Sequence, residues 1–157
     1  MRRKKTAILV FPTHPGGEIM GDIALSGSCL CGSVAYELQG DARRFYHCHC
    51  ERCRKASGSG HASNIILRLN SITWTAGETL IRSYKVPEAE RFTAVFCSVC
   101  GSPLPRIYDG GIAVVPAGSL DHEPGIEPQA RIFAGSRAEW SCSGDALSCH
   151  DTYPERS

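Results

Sequence analysis

Seven of the nine cysteines fall into three tight groups. Cys29 and Cys31 form C-x-C, Cys48, Cys50 and Cys53 form C-x-C-x-x-C, and Cys97 and Cys100 form C-x-x-C, while Cys142 and Cys149 stand apart. Near the N-terminus the longest apolar run, Ala7 to Phe11, is too short for the core of a secretory signal. A reducing, cytoplasmic compartment is therefore expected. There, clustered cysteines more often bind metal than pair as disulfides. Zinc takes four ligands in a structural site and often three protein ligands in a catalytic one. The seven clustered thiols divide naturally into four and three.

Cys31 is followed by Gly32 and Cys100 by Gly101. A glycine at that place lets the backbone adopt positive φ and turn its N–H groups toward the sulfur. Cys29/Cys31 and Cys97/Cys100 thus read as matched knuckles closing one site with four thiolates, a folding role. Cys48, Cys50 and Cys53 read as a tripod on a second ion, with a fourth position for water or substrate. Such a position is what Lewis-acid chemistry requires. Two alternatives stand beside it. One is a closed site completed by His47, His49, His61, Cys142 or Cys149, and the other is a thiol cluster without metal.

The elements that must position these groups are short strands. Ser33–Leu38, Ser63–Leu69, Leu80–Val86, Phe92–Phe96, Ile112–Pro116 and Ala130–Ala134 are rich in β-branched or aromatic residues, and most are bounded by turn formers. Glu51–Ala56 predicts one or two helical turns ending at Ser57-Gly58. No segment carries three turns of helical periodicity, and no repeat is evident. A flexible tail is expected over 1–22, opening with the basic run Arg2, Arg3, Lys4 and Lys5. One zinc domain follows over 23–141, then a polar tail over 142–157. Met20 is an alternative start, since everything chemically informative follows it. Of the remaining candidates, His49 is expected beside the metal or in packing, and His61 at the surface or in the core. Trp140 is expected in the core, Asp121 capping a turn, and Cys142 and Cys149 as free thiols.

The chain has 157 residues, 42% of them hydrophobic, with 17 Lys+Arg against 16 Asp+Glu. That predicts one globular domain and excludes a disordered chain. The formal net charge of +1, with no basic stripe, argues against nucleic acid as a partner. No apolar run approaches the roughly 20 residues that span a membrane.

Gly27-Ser28-Cys29-Leu30-Cys31-Gly32-Ser33-Val34-Ala35-Tyr36-Glu37 resembles the opening motif of the glutathione-dependent formaldehyde-activating enzymes, the group that includes centromere protein V. The run from Cys48 to Ser59 resembles their second motif and Phe96 to Ser102 their third. Ala117 to Asp121, and Ile132-Phe133 with Ser136 to Trp140, match two weaker C-terminal motifs. The resemblance covers Ser26 to Trp140. It implies a mainly β, zinc-containing β-tent fold of short antiparallel sheets with little helix. It also implies two zinc ions, one on Cys29, Cys31, Cys97 and Cys100 and one on Cys48, Cys50 and Cys53.

The activity implied is that of a carbon–sulfur lyase. A thiol such as glutathione takes the open position and adds to formaldehyde, giving S-(hydroxymethyl)glutathione, or the reverse. Three thiolates on zinc leave one net negative charge, and a fourth adds another. Arg52, Arg54 and Lys55 in the same loop would offset that charge and hold the carboxylates of glutathione, or else form a solvated basic face. The alternative function is a non-catalytic zinc module that binds a partner. A methionine sulfoxide reductase of the B type fits poorly, because that family holds zinc on two C-x-x-C pairs.

Overall fold

The computed structural model describes residues 9–10, 21–142 and 147–153, with backbone only at 9, 10 and 142. Most of the expected N-terminal tail, including the basic run, therefore lies outside the described residues. Nine strands and one short helix follow in the order β1 (Leu9–Val10), β2 (Gly21–Ser28), β3 (Ala35–Cys48), α1 (Glu51–Ser57), β4 (Ala62–Ala76), β5 (Ile81–Lys85), β6 (Thr93–Cys97), β7 (Arg106–Tyr108), β8 (Ile112–Pro116) and β9 (Ala130–Ile132). β2, β3, β4, β8 and β7 lie side by side in that order, all antiparallel. β1 adds to β4, and β9 adds to β3 as a parallel partner. β5 and β6 form a separate antiparallel hairpin. The mainly β architecture with little helix agrees with the sequence reading.

Two long strands carry the core. β3 and β4 pair from Ala35↔Ala76 to Cys48↔Ala62. Alternate residues turn inward along them: Tyr36, Leu38 and Ala42 from β3, and Ile65, Leu67 and Leu69 from β4, are buried. Leu104 from the β6–β7 connection and Val115 from β8 close the same core. Bulges break the ladder at Gln39/Gly40 and Ala42/Arg44. At the first, a Cβ on Gly40 would overlap the Arg68 carbonyl oxygen, so only glycine lets the strands approach there.

The strands are longer than the sequence patterns indicated. Ser33–Leu38 grows into a 14-residue β3 and Ser63–Leu69 into a 15-residue β4. Gly40-Asp41 and Asn70-Ser71 have turn composition, yet they sit inside paired strands at or near bulges. Ile112–Pro116 is a strand over those residues, and the predicted helix runs one residue further, to Ser57. The Ala130–Ala134 strand stops at Ile132 because Phe133 takes the left-handed conformation, with φ of 54°. Trp140 is not in the core: it is 68% exposed, on a single turn of 3₁₀ helix. Asp121, expected to cap a turn, instead ties the segment after β8 to β2. Its Oδ1 accepts from Ser28 Oγ at 2.6 Å and its backbone N–H donates to the Ser26 carbonyl.

One buried polar chain locks β3 to the turn after β8. The Tyr36 hydroxyl donates to Ser119 Oγ at 2.7 Å, and that hydroxyl in turn donates to the Pro116 carbonyl at 2.7 Å. Burial raises the Tyr36 phenol from 10 to about 12. Tyr36→Phe should lower unfolding stability by about 1 kcal/mol in urea titrations near neutral pH. The folded pKa exceeds the unfolded one, so the wild type keeps this contribution below pH 10 and loses it as pH rises toward 12. The gap between the two proteins should narrow above pH 10. A gap that stays constant across that range would show that the phenol is not held neutral by the fold.

Candidate metal centres

Two groups of thiols are brought together, and they divide as the spacing indicated. The sulfurs of Cys29, Cys31, Cys97 and Cys100 lie within 4.8 Å of one another, and so do those of Cys48, Cys50 and Cys53. No histidine nitrogen or carboxylate joins either group among the described residues.

The four-cysteine group forms where β2 ends and β6 ends. Cys29 Sγ is 3.5 Å from Cys31 Sγ, and Cys31 Sγ is 4.0 Å from Cys97 Sγ. Tetrahedral zinc with Zn–S bonds of about 2.3 Å sets its sulfurs about 3.8 Å apart, so the spacing fits one ion. Each pair is wrapped as a knuckle. Gly32 N–H donates to the Cys29 carbonyl and Gly101 N–H to the Cys97 carbonyl, both at 2.8 Å, with φ of 71° and 74° at the two glycines. Backbone N–H groups then point at sulfur, Val34 to Cys29 at 3.2 Å and Val99 to Cys97 at 3.4 Å. Ser102 joins the knuckles: its Oγ accepts from Leu30 N–H at 3.1 Å and lies 3.3 Å from Cys100 Sγ. The Ser102 side chain and backbone bring the Cys100 thiol down to about 5. Burial raises its neighbour Cys29. Four sulfurs within 4.8 Å of one another, with backbone N–H donors already aimed at two of them, match a cation.

The three-cysteine group is built locally. β3 ends at Cys48, and Cys50 caps α1 with extended backbone, its sulfur accepting from the Cys53 N–H at 3.4 Å. Gly58 ends the helix in the left-handed conformation, with its N–H on the Arg54 carbonyl. Contact with the Cys53 sulfur brings the Cys48 thiol down to about 6 against the opposing effect of burial, while the same contact, aided by burial, pushes Cys53 up. His49, between two of the cysteines, is 2% exposed, and neither ring nitrogen has a partner. His61 stacks on His47 at 4.2 Å and lies 5.2 Å from His49. Burial is the main cause that lowers the pKa of both His47 and His61, so these rings are neutral near pH 7. None of the three imidazoles closes the group, and neither does the exposed Cys149. The Cys142 side chain lies outside the described residues.

The three cations of this loop have distinct settings. Lys55 pairs with Glu51 across one helical turn at 2.9 Å, both exposed. Arg54 donates from Nε to the His49 carbonyl at 3.3 Å and so braces the cysteine loop. Arg52 lies over the Phe92 ring, 5.7 Å from its centroid. Beside Cys53 a cavity of about 340 Å³ opens between α1, β4 and β6. Arg106, which sequence reasoning did not single out, lines it. A lone arginine at a strand start carries no motif, and only its place in the cavity wall and its unpartnered Nε draw notice.

Fold and site together define a mainly β protein with two separate cysteine clusters, each compatible with a metal ion. A model of the glutathione-dependent formaldehyde-activating enzyme family matches residues 24–136, more than two thirds of the chain, and the protein belongs to that family. Among solved structures, a crystal structure of a Rhodobacter sphaeroides protein is similar, with a TM-score of 0.49 and 21% identity, over 68% of this chain and 99% of that one. No curated protein matches the chain. Among the described residues no helix is long and apolar enough to cross a membrane.

The two clusters should respond differently to loss of one thiol. Cys97→Ser should yield insoluble or unfolded, metal-poor protein, because its group joins distant parts of the chain. Cys50→Ser should fold, since serine also caps a helix, and should contain one metal equivalent fewer. Metal analysis and circular dichroism of both variants read this out. A folded Cys97→Ser with full metal, or an aggregated Cys50→Ser, would reverse the roles.

Proposed function

We propose that both clusters hold zinc, and that the Cys48/Cys50/Cys53 site brings the thiol of glutathione, or of a similar molecule, to formaldehyde or a related aldehyde. The reaction makes or breaks the carbon–sulfur bond of an S-(hydroxymethyl) adduct, the chemistry of a carbon–sulfur lyase, in a reducing, cytoplasmic setting. The observation that carries this reading is the three-sulfur cluster beside a cavity, within a chain of this family. A non-catalytic module needs neither three ligands with a place for a fourth nor a cavity lined by one of them.

Zinc bound there would supply Lewis acidity and keep an incoming thiol deprotonated at neutral pH. The chain's own residues do the positioning. Cys50 is fixed as the cap of α1, and Arg54 fixes the His49 carbonyl beside it. The Ile132 carbonyl, accepting from His49 N–H at 3.0 Å, docks the same loop on β9. The bond change conserves protons overall: the proton that the thiol gives up matches the one gained by the new hydroxyl. Arg54 and Arg52 lie close enough in sequence to offset the negative charge that accumulates on four thiolates.

Glutathione binding to zinc-loaded protein should release a proton and tighten as pH rises toward the free thiol's pKa of about 8.5. Calorimetry in buffers of different ionisation enthalpy measures both effects. Formaldehyde–adduct exchange, followed by NMR at low reactant concentration, should be faster with wild type than with Cys50→Ser. No binding at millimolar glutathione with both metals present would rule this reading out.

A further inference from the structure

The cavity beside Cys53 holds one charged group and no opposing one. Among its lining residues only Arg106 is charged, and no Asp or Glu lines it. The guanidinium carbon of Arg106 lies over the Phe92 ring, 5.3 Å from the centroid. One Nη–H donates to the Thr93 carbonyl at a long 3.4 Å, and the buried Nε–H has no partner. Arginine carries five N–H donors and always keeps its charge. Among the described residues no carboxylate forms an ion pair with it. Arg106 is half-buried, and its buried Nε–H is a donor free to meet an anion that enters the cavity.

The surroundings say what the anion belongs to. The cavity is at the small end of the roughly 300–1,000 Å³ of small-molecule sites, so it suits a metabolite-sized ligand rather than a macromolecular surface. Its walls are mainly apolar and small, from Ala56 and Ala62 to Val95 and Leu104, with buried Asn64 as a further polar side chain. Cys53, a member of the three-sulfur cluster, forms part of the same wall. A ligand whose sulfur reaches the cluster therefore extends its body toward a guanidinium, a planar fork that recognises a carboxylate through paired hydrogen bonds.

We infer that this cavity seats the body of the thiol ligand, and that Arg106, set over the Phe92 ring, binds its carboxylate and selects anionic thiols over neutral ones. The inference rests on the reading of Cys48, Cys50 and Cys53 as a thiol-binding site. Arg106 is a binding residue in this account, and Phe92 positions it. Arg52 lies over the same Phe92 ring from α1, whereas Arg106 comes to it from β7.

Calorimetry on the full-length, zinc-loaded protein with two ligands tests both layers. Glutathione has thiol and carboxylates, and S-methylglutathione keeps the carboxylates without a free thiol. Wild type should bind glutathione more tightly than S-methylglutathione, and Arg106→Gln should weaken both by about 10-fold or more, at unchanged metal content and melting temperature. Equal affinities for the two ligands in wild type, both falling in Arg106→Gln, would keep the carboxylate site and remove the thiol reading. A wild-type preference for glutathione, with neither affinity changed in Arg106→Gln, would overturn the carboxylate site and leave the thiol reading intact. No binding of either ligand at millimolar concentration overturns both. Should Arg106→Gln not fold, the comparison is made on Arg106→Lys, which keeps charge but loses the planar fork. At least a threefold weakening is expected there, and an unchanged affinity counts against the assignment.

Discussion

Cys31 and Cys97 are 66 residues apart in the chain, and their sulfurs are 4.0 Å apart in space. Between them lie the two long strands, the helix and the β5–β6 hairpin, so whatever holds these sulfurs together closes one long loop around the centre of the fold. A cross-link over a loop of that length removes chain entropy from the unfolded state equivalent to about 4 kcal/mol. The hairpin depends on it most. β5 and β6 pair with each other rather than with the main sheet, and β6 ends at Cys97 itself. Backbone bonds from Leu104 N–H to the Val95 carbonyl and from Cys97 N–H to the Ser102 carbonyl, with Arg106 on the Thr93 carbonyl, tie it to the segment that follows. Because Phe92, Ala94, Val95 and Phe96 wall the cavity beside Gly101, the four-sulfur cluster helps to set the cavity's shape.

The three-sulfur cluster obeys the opposite rule. Its ligands span residues 48–53, on a turn between β3 and α1 that has its own cap, its own C-terminal glycine and a brace from Arg54. Nothing distant must close for it to form. Its surroundings instead carry strain and unmet demand. His49 is buried with both ring nitrogens bare of partners, and Phe133, one residue past the strand that docks the loop, takes a backbone conformation that costs non-glycine residues about 1–3 kcal/mol. Such features gather where geometry serves chemistry rather than stability.

The sequence made the sulfur chemistry legible because ligand spacing and the glycine after each knuckle are local signals. Gly32 and Gly101 take positive φ for the reason their position suggested, and the middle cluster, lacking such a glycine, uses a helix cap instead. Strand lengths were less legible. Gly40-Asp41 looks like a turn, and it is only the packing of Gly40 on Arg68 that makes it part of a bulged strand. Trp140 looks like a core residue by type, yet it sits outside on a short turn whose Ser141 side chain packs on Gly60. Arg106 gave no local signal. Its interest comes from the cavity, from Phe92 and from the absence of a carboxylate among the cavity's lining residues, all products of tertiary folding. The basic character of Arg52, Arg54 and Lys55 was visible in the chain, but their different partners in the fold were not.

The central claim is that one cluster is complete with four sulfurs while the other has three and takes its fourth from the ligand. X-ray absorption at the zinc edge, on protein with both sites filled, measures this directly. The account predicts an average of about 3.5 sulfurs per zinc with a shell of lighter oxygen or nitrogen scatterers, rising to about 4 as glutathione is added and the lighter shell disappears. Four sulfurs per zinc before any ligand is present, or a spectrum that glutathione leaves unchanged, would contradict it.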